Sequence, residues 1–145
     1  DFGALGGIGA SSDPKEAAEQ RFWKDVWWHL RAGKQKEIAN ICKRNNNFGV
    51  LASFMGGDLV DHDNMKQMGN VHRDLWKKCC WEIASNKDLS IYQRAVYGVY
   101  SGNFGQLEQI CKTWEDQVWA SFFILTEKYR QDLLKQEEPF PFDEE

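Results

Sequence analysis

Ser90-Ile91-Tyr92-Gln93-Arg94-Ala95-Val96-Tyr97-Gly98-Val99-Tyr100-Ser101-Gly102 is the stretch whose reading decides the fold. Tyr92, Ala95, Val96, Val99 and Tyr100 recur at steps of three and four, which puts them on one face of a helix. Ser90 can cap the first turn, and Gly102 suits the end of the last. The pattern has a copy earlier in the chain. Phe22-Trp23 through Leu30-Arg31-Ala32-Gly33 aligns with Ile91-Tyr92 through Val99-Tyr100-Ser101-Gly102, at an offset of 69 residues (102 less 33). The register continues through Ile38 with Leu107, Ile41 with Ile110, Cys42 with Cys111 and Lys43 with Lys112. After a slip of one residue, Leu51-Ala52-Ser53-Phe54 answers Trp119-Ala120-Ser121-Phe122. Each copy reads helix, Gly turn, helix, polar or capping break, helix. Stacked helical hairpins of this kind bury their apolar faces on their neighbours, which is the logic of a solenoid. The period fits none of the standard short repeats, so the expected fold is an irregular all-α solenoid.

Working outward, the punctuation predicts about seven helices. Asp13-Pro14-Lys15-Glu16 has a cap, a first-position proline and capping-box spacing, and it opens a helix carrying Phe22, Trp23, Val26, Trp27 and Leu30 as far as Gly33. A second runs from about Lys34 to Arg44 with Ile38, Ile41 and Cys42 on its apolar side, and Asn45-Asn46-Asn47 breaks it. A third covers about Phe48 to Met55 and stops at Gly56-Gly57. Residues 58–70 read as a polar, irregular loop. A fourth, from about Val71 to Ala84, is expected to turn Val71, Leu75, Cys79 and Ile83 inward. The quoted stretch is the fifth. Asn103 can cap a sixth, through Leu107, Ile110 and Cys111. Thr113 and Asp116 have capping-box spacing and open the seventh and longest, to about Gln136, beyond which Pro139 and Pro141 forbid helix. No stretch alternates convincingly with period two. The expected organisation is a flexible Gly-rich leader over 1–12, a helical segment over 13–136 and an acidic tail over 137–145.

The chain has 145 residues, 42% hydrophobic and 28% charged, with seven Trp, nine Phe and four Tyr. That aromatic load supplies a solid core at this size. The net charge is −4, and the tail alone carries Glu137, Glu138, Asp143, Glu144 and Glu145. The body is therefore near neutral and has no electrostatic case for nucleic acid. No apolar run reaches the roughly 18 residues of a membrane span, and no secretory signal pattern is present. Cys42, Cys79, Cys80 and Cys111 read as buried small hydrophobes in a reducing compartment rather than as a disulfide framework.

Few motifs carry chemistry. Asp1-Phe2-Gly3 has no kinase context, and the Gly7 to Ser12 run follows no strand. Phe2-Gly3, Phe48-Gly49 and Phe104-Gly105 do not form a disordered Phe-Gly tract. Asp58, Asp61, His62, Asp63 and His72 are a metal-like cluster whose spacing matches neither a calcium loop nor a zinc helix, so a solvated loop is the better reading. His29 sits among aromatics and reads as structural. No nucleophile or carboxylate pair is marked for catalysis. No catalytic residue, cofactor or metal is expected, and the chain reads as a non-enzyme.

The tryptophans carry most information. Trp23, Trp27, Trp28, Trp76, Trp81, Trp114 and Trp119 fall mostly on apolar stripes and are expected to be core. Trp28 and Trp81 fit the stripes least well. Surplus aromatics on a helical module are common interface anchors, so these two are candidate partner contacts, with Phe140 and Phe142 of the tail.

Three segments together resemble a known family. They are Leu75-Trp76-Lys77-Lys78-Cys79-Cys80-Trp81, the run Ile91 to Asn103, and Ile110-Cys111-Lys112-Thr113-Trp114-Glu115-Asp116-Gln117-Val118-Trp119-Ala120. Their order and spacing are similar to the scaffold nucleoporins of the Y-shaped outer-ring coat, the hundred-and-seven-kilodalton nucleoporin of animals and the eighty-four-kilodalton one of yeast. The likeness covers roughly residues 22–128. Its signature positions are Trp76, Tyr92, Tyr97, Gly102, Cys111, Thr113, Trp114, Asp116 and Trp119, all expected in or near the core. The resemblance implies a coat-type α-solenoid at the nuclear pore complex of the nuclear envelope. It implies structural support of protein and mRNA transport and contact with other Y-complex nucleoporins, first the ninety-six-kilodalton type, with no catalysis and no membrane insertion. A helical-repeat adaptor of a vesicle coat or other transport complex is the alternative.

Overall fold

The computed structural model describes residues 13–58 and 70–136, the last three without their side chains. The Gly-rich leader, the stretch 59–69 and the acidic tail lie outside the described residues, and with them Asp61, His62, Asp63, Phe140 and Phe142. Among the described residues the fold is all-α. Six helices follow in order: α1 Pro14–Arg31, α2 Gln35–Arg44, α3 Phe48–Met55, α4 Arg73–Ser85, α5 Ile91–Ser101 and α6 Trp114–Gln136.

The caps work as the residues predict. Asp13 accepts from the Lys15 amide at 2.9 Å with Pro14 behind it. Asn47 accepts from Val50 at the start of α3, and Ser90 from Gln93 at the start of α5. Thr113 Oγ1 accepts from the Asp116 amide at 3.2 Å and opens α6. Gly33 and Gly102 hold the same place in the two copies of the repeat. Both are left-handed, at φ 72° and 76°, where a Cβ would cost energy.

The second copy differs from the first in its middle element and in the length of its last helix, 23 residues in α6 against 8 in α3. In place of the expected sixth helix there is a single 3-10 turn, Phe104–Gln106, followed by non-helical turns to Cys111. Gly105 weakens the helix there, whereas the matching stretch of the first copy, Gln35-Lys36-Glu37, is made of good helix formers. Asn103 does not cap with its side chain. It is buried, and its amide donates to Ser85 Oγ at 3.0 Å. The inward positions survive the change of backbone, for Leu107 and Cys111 are buried as Ile38 and Cys42 are.

Helix α5 is the hub. It packs on α1, α4 and α6, and Ala95, Val96, Tyr97, Gly98 and Val99 are all buried. Trp23, Val26, Trp27 and Leu30 seal the α1 side. An aromatic seam then runs across the elements by ring contacts of 5.4–5.7 Å, from Trp23 to Tyr97 to Phe54, and from Trp27 through Trp119 and Phe123 to Tyr100 and Trp76. Three of these contacts are edge-to-face and the others tilted or stacked, and such aromatic pairs add to the gain from burial.

Of the four residues expected inward on and just before α4, only Ile83 packs on the core. Val71, Leu75 and Cys79 are exposed, while Arg73, Cys80 and Ala84 are buried and Trp76 and Ile83 pack on the core. The helix is rotated by about one residue from the apolar reading, because Arg73 takes a core position.

Candidate interaction surface

Arg73 sets the geometry around α4 and α6. Its Nε donates to the Gly57 carbonyl at 2.9 Å, one terminal nitrogen donates to Gln131 Oε1 at 2.8 Å, and the other pairs with Glu127. Side-chain exposures of 4% and 6% make this a buried ion pair. The guanidinium also lies 5.2 Å from the Trp76 ring. Buried ions persist only when their hydrogen bonds are filled, and here all three forks of the guanidinium are used. Trp76 closes the same corner. Its Nε1 donates to the Ser53 carbonyl at 2.7 Å, and a Cβ on Gly56 would come within 2.3 Å of its ring. Neither Arg73 nor Glu127 stands out in the sequence, where each reads as a solvated charge.

A second tie joins the two copies of the repeat. Arg31, at the end of α1, meets Asp116, in the first turn of α6, at 3.2 Å and lies 5.0 Å over the Trp119 ring. Burial alone disfavours the Asp116 charge. The hydrogen bonds from Thr113 and Arg31, with the Arg31 charge, outweigh it and hold the carboxyl below its ordinary value.

The buried titratable groups are packing units. Burial pushes the Tyr97 phenol up to about 12, and its hydroxyl shares a 2.6 Å hydrogen bond with Ser53 Oγ. Burial likewise raises the Cys80 thiol to about 12 and lifts Cys42 and Cys111 above the ordinary thiol value. Thiols so protonated are poor nucleophiles. All four cysteines are free, and Cys79 departs from the sequence reading in being exposed. His29 is tied locally, its Nδ1 lying 2.8 Å from the Asp25 carbonyl oxygen. His72 is exposed just before α4, and among the described residues no group of three or more His, Cys, Asp or Glu is placed to hold a metal. No described helix is long and apolar enough to cross a membrane.

The signature positions divide. Tyr97 and Cys111 are buried, and Trp76, Tyr92 and Trp119 pack half-buried on the core. Gly102 and Asp116 are half-buried, and Thr113 is exposed as a cap. Trp114 overturns the expectation of a core role: it is 71% exposed. It is the first residue of α6, whereas Trp119 on the same helix packs on Trp27 of α1 and on Phe123. Trp28 on α1 and Trp81 on α4 are 51% and 46% exposed, on the outer faces of their helices.

Trp114 belongs to a larger surface that the sequence reading missed. Along α6, Trp114, Val118, Phe122, Leu125, Tyr129 and Leu133 are all exposed, at steps of three and four. Ala120 and Glu127 are buried, with Trp119, Phe123 and Ile124 packed on the core along the opposite face. The helix is apolar on both sides, and no other described element covers the outer one. The signal was present as two interleaved stripes in one helix, and a single-stripe reading absorbs both into the core. Large exposed apolar faces are the kind of surface that interaction sites present.

With this geometry established, comparison with known proteins gives a consistent picture. The profile of a family described as nuclear pore protein 84 / 107 matches residues 13–144. Nuclear pore complex protein Nup107 of Homo sapiens is 34% identical over 126 residues, which is 82% of this chain and 13% of the relative. Nucleoporin NUP84 of Chaetomium thermophilum is 36% identical over 113 residues, 76% of this chain and 12% of the relative. Nucleoporin nup107 of Schizosaccharomyces pombe is 29% identical over 121 residues, 79% of this chain and 15% of the relative. The chain thus spans between about an eighth and a seventh of the length of these relatives.

Proposed function

This chain belongs to the nuclear pore protein 84 / 107 family, a scaffold family and not an enzyme family, and we propose that it serves as a rigid segment of the outer-ring coat that joins other coat nucleoporins. Its place is the nuclear pore complex of the nuclear envelope, and its role is structural support of protein and mRNA transport. The observation that carries the reading is the family match over 13–144, which takes in all six helices. The physics supports it, because a coat element must hold its shape, and an aromatic seam clamped by two internal ion pairs resists deformation. The vesicle-coat adaptor reading gives way, since the relatives named above all carry nuclear pore names. The proposed solenoid segment is 13–136, with 1–12 and 137–145 outside it.

The proposed first partner is the ninety-six-kilodalton-type nucleoporin, and Trp28 and Trp81 are its proposed anchors. Both are large, half-exposed aromatics on outward faces, the type that dominates binding energy at protein interfaces. Phe140 and Phe142 are proposed as auxiliary contacts. Calorimetry with the helical domain of that partner tests the reading. A stoichiometric complex is expected, weakened about tenfold or more by Trp28→Ala or Trp81→Ala, with the melting temperature of the chain unchanged. No binding by the folded chain would remove this partner. Wild-type affinity in both variants would move the contact elsewhere.

A further inference from the structure

The outer face of α6 matches itself. Trp114, Val118, Phe122, Leu125, Tyr129 and Leu133 are spaced four, four, three, four and four, a series that reads the same from either end. A two-fold axis beside the midpoint, between Phe123 and Ile124, sets two such helices antiparallel. Phe122 then faces Leu125 of the second copy, Val118 faces Tyr129, and Trp114 faces Leu133. Each of the three pairs matches one aromatic with one aliphatic side chain, so bulk on one copy meets relief on the other. Isologous interfaces require this self-complementarity, since every contact is made twice.

The flanks of the apolar register are charged, and they divide. On one edge of the stripe, Glu115 comes alongside Arg130 of the second copy, and the symmetry repeats the pair. Arg130 has a half-exposed side chain and reaches only a 3.5 Å contact with Glu127 within its own chain. On the other edge Ser121 meets Lys128 and Gln117 meets Asp132, but the rule that sets Trp114 against Leu133 also sets Glu115 against Asp132, an acidic pair at each end of the face. The area suffices. With exposures of 40–71%, the six side chains offer on the order of 700 Å² per copy, close to the roughly 800 Å² a side of a standard interface.

We propose that the exposed face of α6 is a homotypic interface, on which a second copy of this chain seats its own α6 antiparallel to form a two-fold dimer. The surface is separate from Trp28 and Trp81, so the proposal stands apart from the partner reading above.

Size exclusion with light scattering on the 145-residue chain, at up to about 100 μM, tests it in a range that covers interfaces of standard size. The expected mass is twice the 16.9 kDa of one chain. Leu125→Glu should give the monomer mass with the helical signal and melting temperature retained, because Leu125 is exposed in the single chain. Orientation is read in a Cys79→Ser background by mixing Phe122→Cys chains with Leu125→Cys chains under mild oxidation. The antiparallel register predicts the mixed disulfide in excess over both homodisulfides. A wild-type monomer throughout the range, a dimer that survives Leu125→Glu, or homodisulfides in excess would each overturn the proposal.

Discussion

At the residue scale, exposure separates side chains that the sequence treats alike. Trp114 and Trp119 sit five positions apart in one helix, in one signature segment. Trp119 packs on Trp27 and Phe123 beneath the Arg31 guanidinium, while Trp114 is 71% exposed. Trp119→Ala should therefore cost about 3 kcal/mol in denaturant unfolding, and Trp114→Ala no more than about 0.5 kcal/mol. Equal losses would mean that Trp114 is covered in the folded chain. Arg73 and Glu127 give the sharper case. Glu127→Ala leaves a buried guanidinium without its counter-charge, and a loss of about 3–5 kcal/mol is expected. Replacing both, as Arg73→Met with Glu127→Leu, should recover most of that loss, because the desolvated charges leave together. A double variant as unstable as the single one would show that the hydrogen bonds to Gly57 and Gln131 matter more than the ion pair.

At the element scale, the ends of most helices were legible and two faces were not. Asp13, Gly33, Asn47, Ser90, Gly102 and Thr113 all mark boundaries where local chemistry places them, because capping depends on a few neighbouring atoms. Gly102→Ala forces a Cβ into a left-handed turn and should cost about 1–2 kcal/mol, read as a lower melting temperature. An unchanged melt would mean that the turn can relax. The face of α4 depends on distant partners instead. Arg73 faces inward only because Glu127 and Gln131, on another helix, complete its hydrogen bonds. No window of the α4 sequence contains them, so the apolar reading chose Leu75 and Cys79 and was off by one step. The outer stripe of α6 was missed for a related reason. Periodicity finds an apolar face but does not say whether a neighbour in the same chain covers it. The missing sixth helix was a local failure, where Asn103 spent its side chain on Ser85 and Gly105 lowered helix propensity.

At the scale of the whole molecule, the question is whether the two copies of the repeat are independent. The Arg31–Asp116 pair links them directly. Asp116 is held below its ordinary value, so folding favours its ionised form. Its contribution is complete above the unfolded carboxyl value of 3.8 and is lost as pH falls through the lower folded value. The wild-type advantage over Asp116→Asn should therefore be constant near neutrality and shrink in acid. A constant advantage down to the lowest pH would assign the effect to packing. The apolar ties reach further. The buried face of α1, with Trp23, Val26 and Trp27, is closed by α5 and by Trp119 of α6, both from the second copy. A chain cut to residues 13–58 keeps α1, α2 and α3 but exposes that face to water. Isolated helices of 18, 10 and 8 residues are marginal. The cut chain should thus show weak helical dichroism and no cooperative melt, while residues 13–136 melt in one transition. A cooperative melt of 13–58 would show each copy to be a folding unit in its own right. Its absence would fit a solenoid whose stability lies in the contacts between neighbours, so that a segment holds its shape only as far as it is stacked.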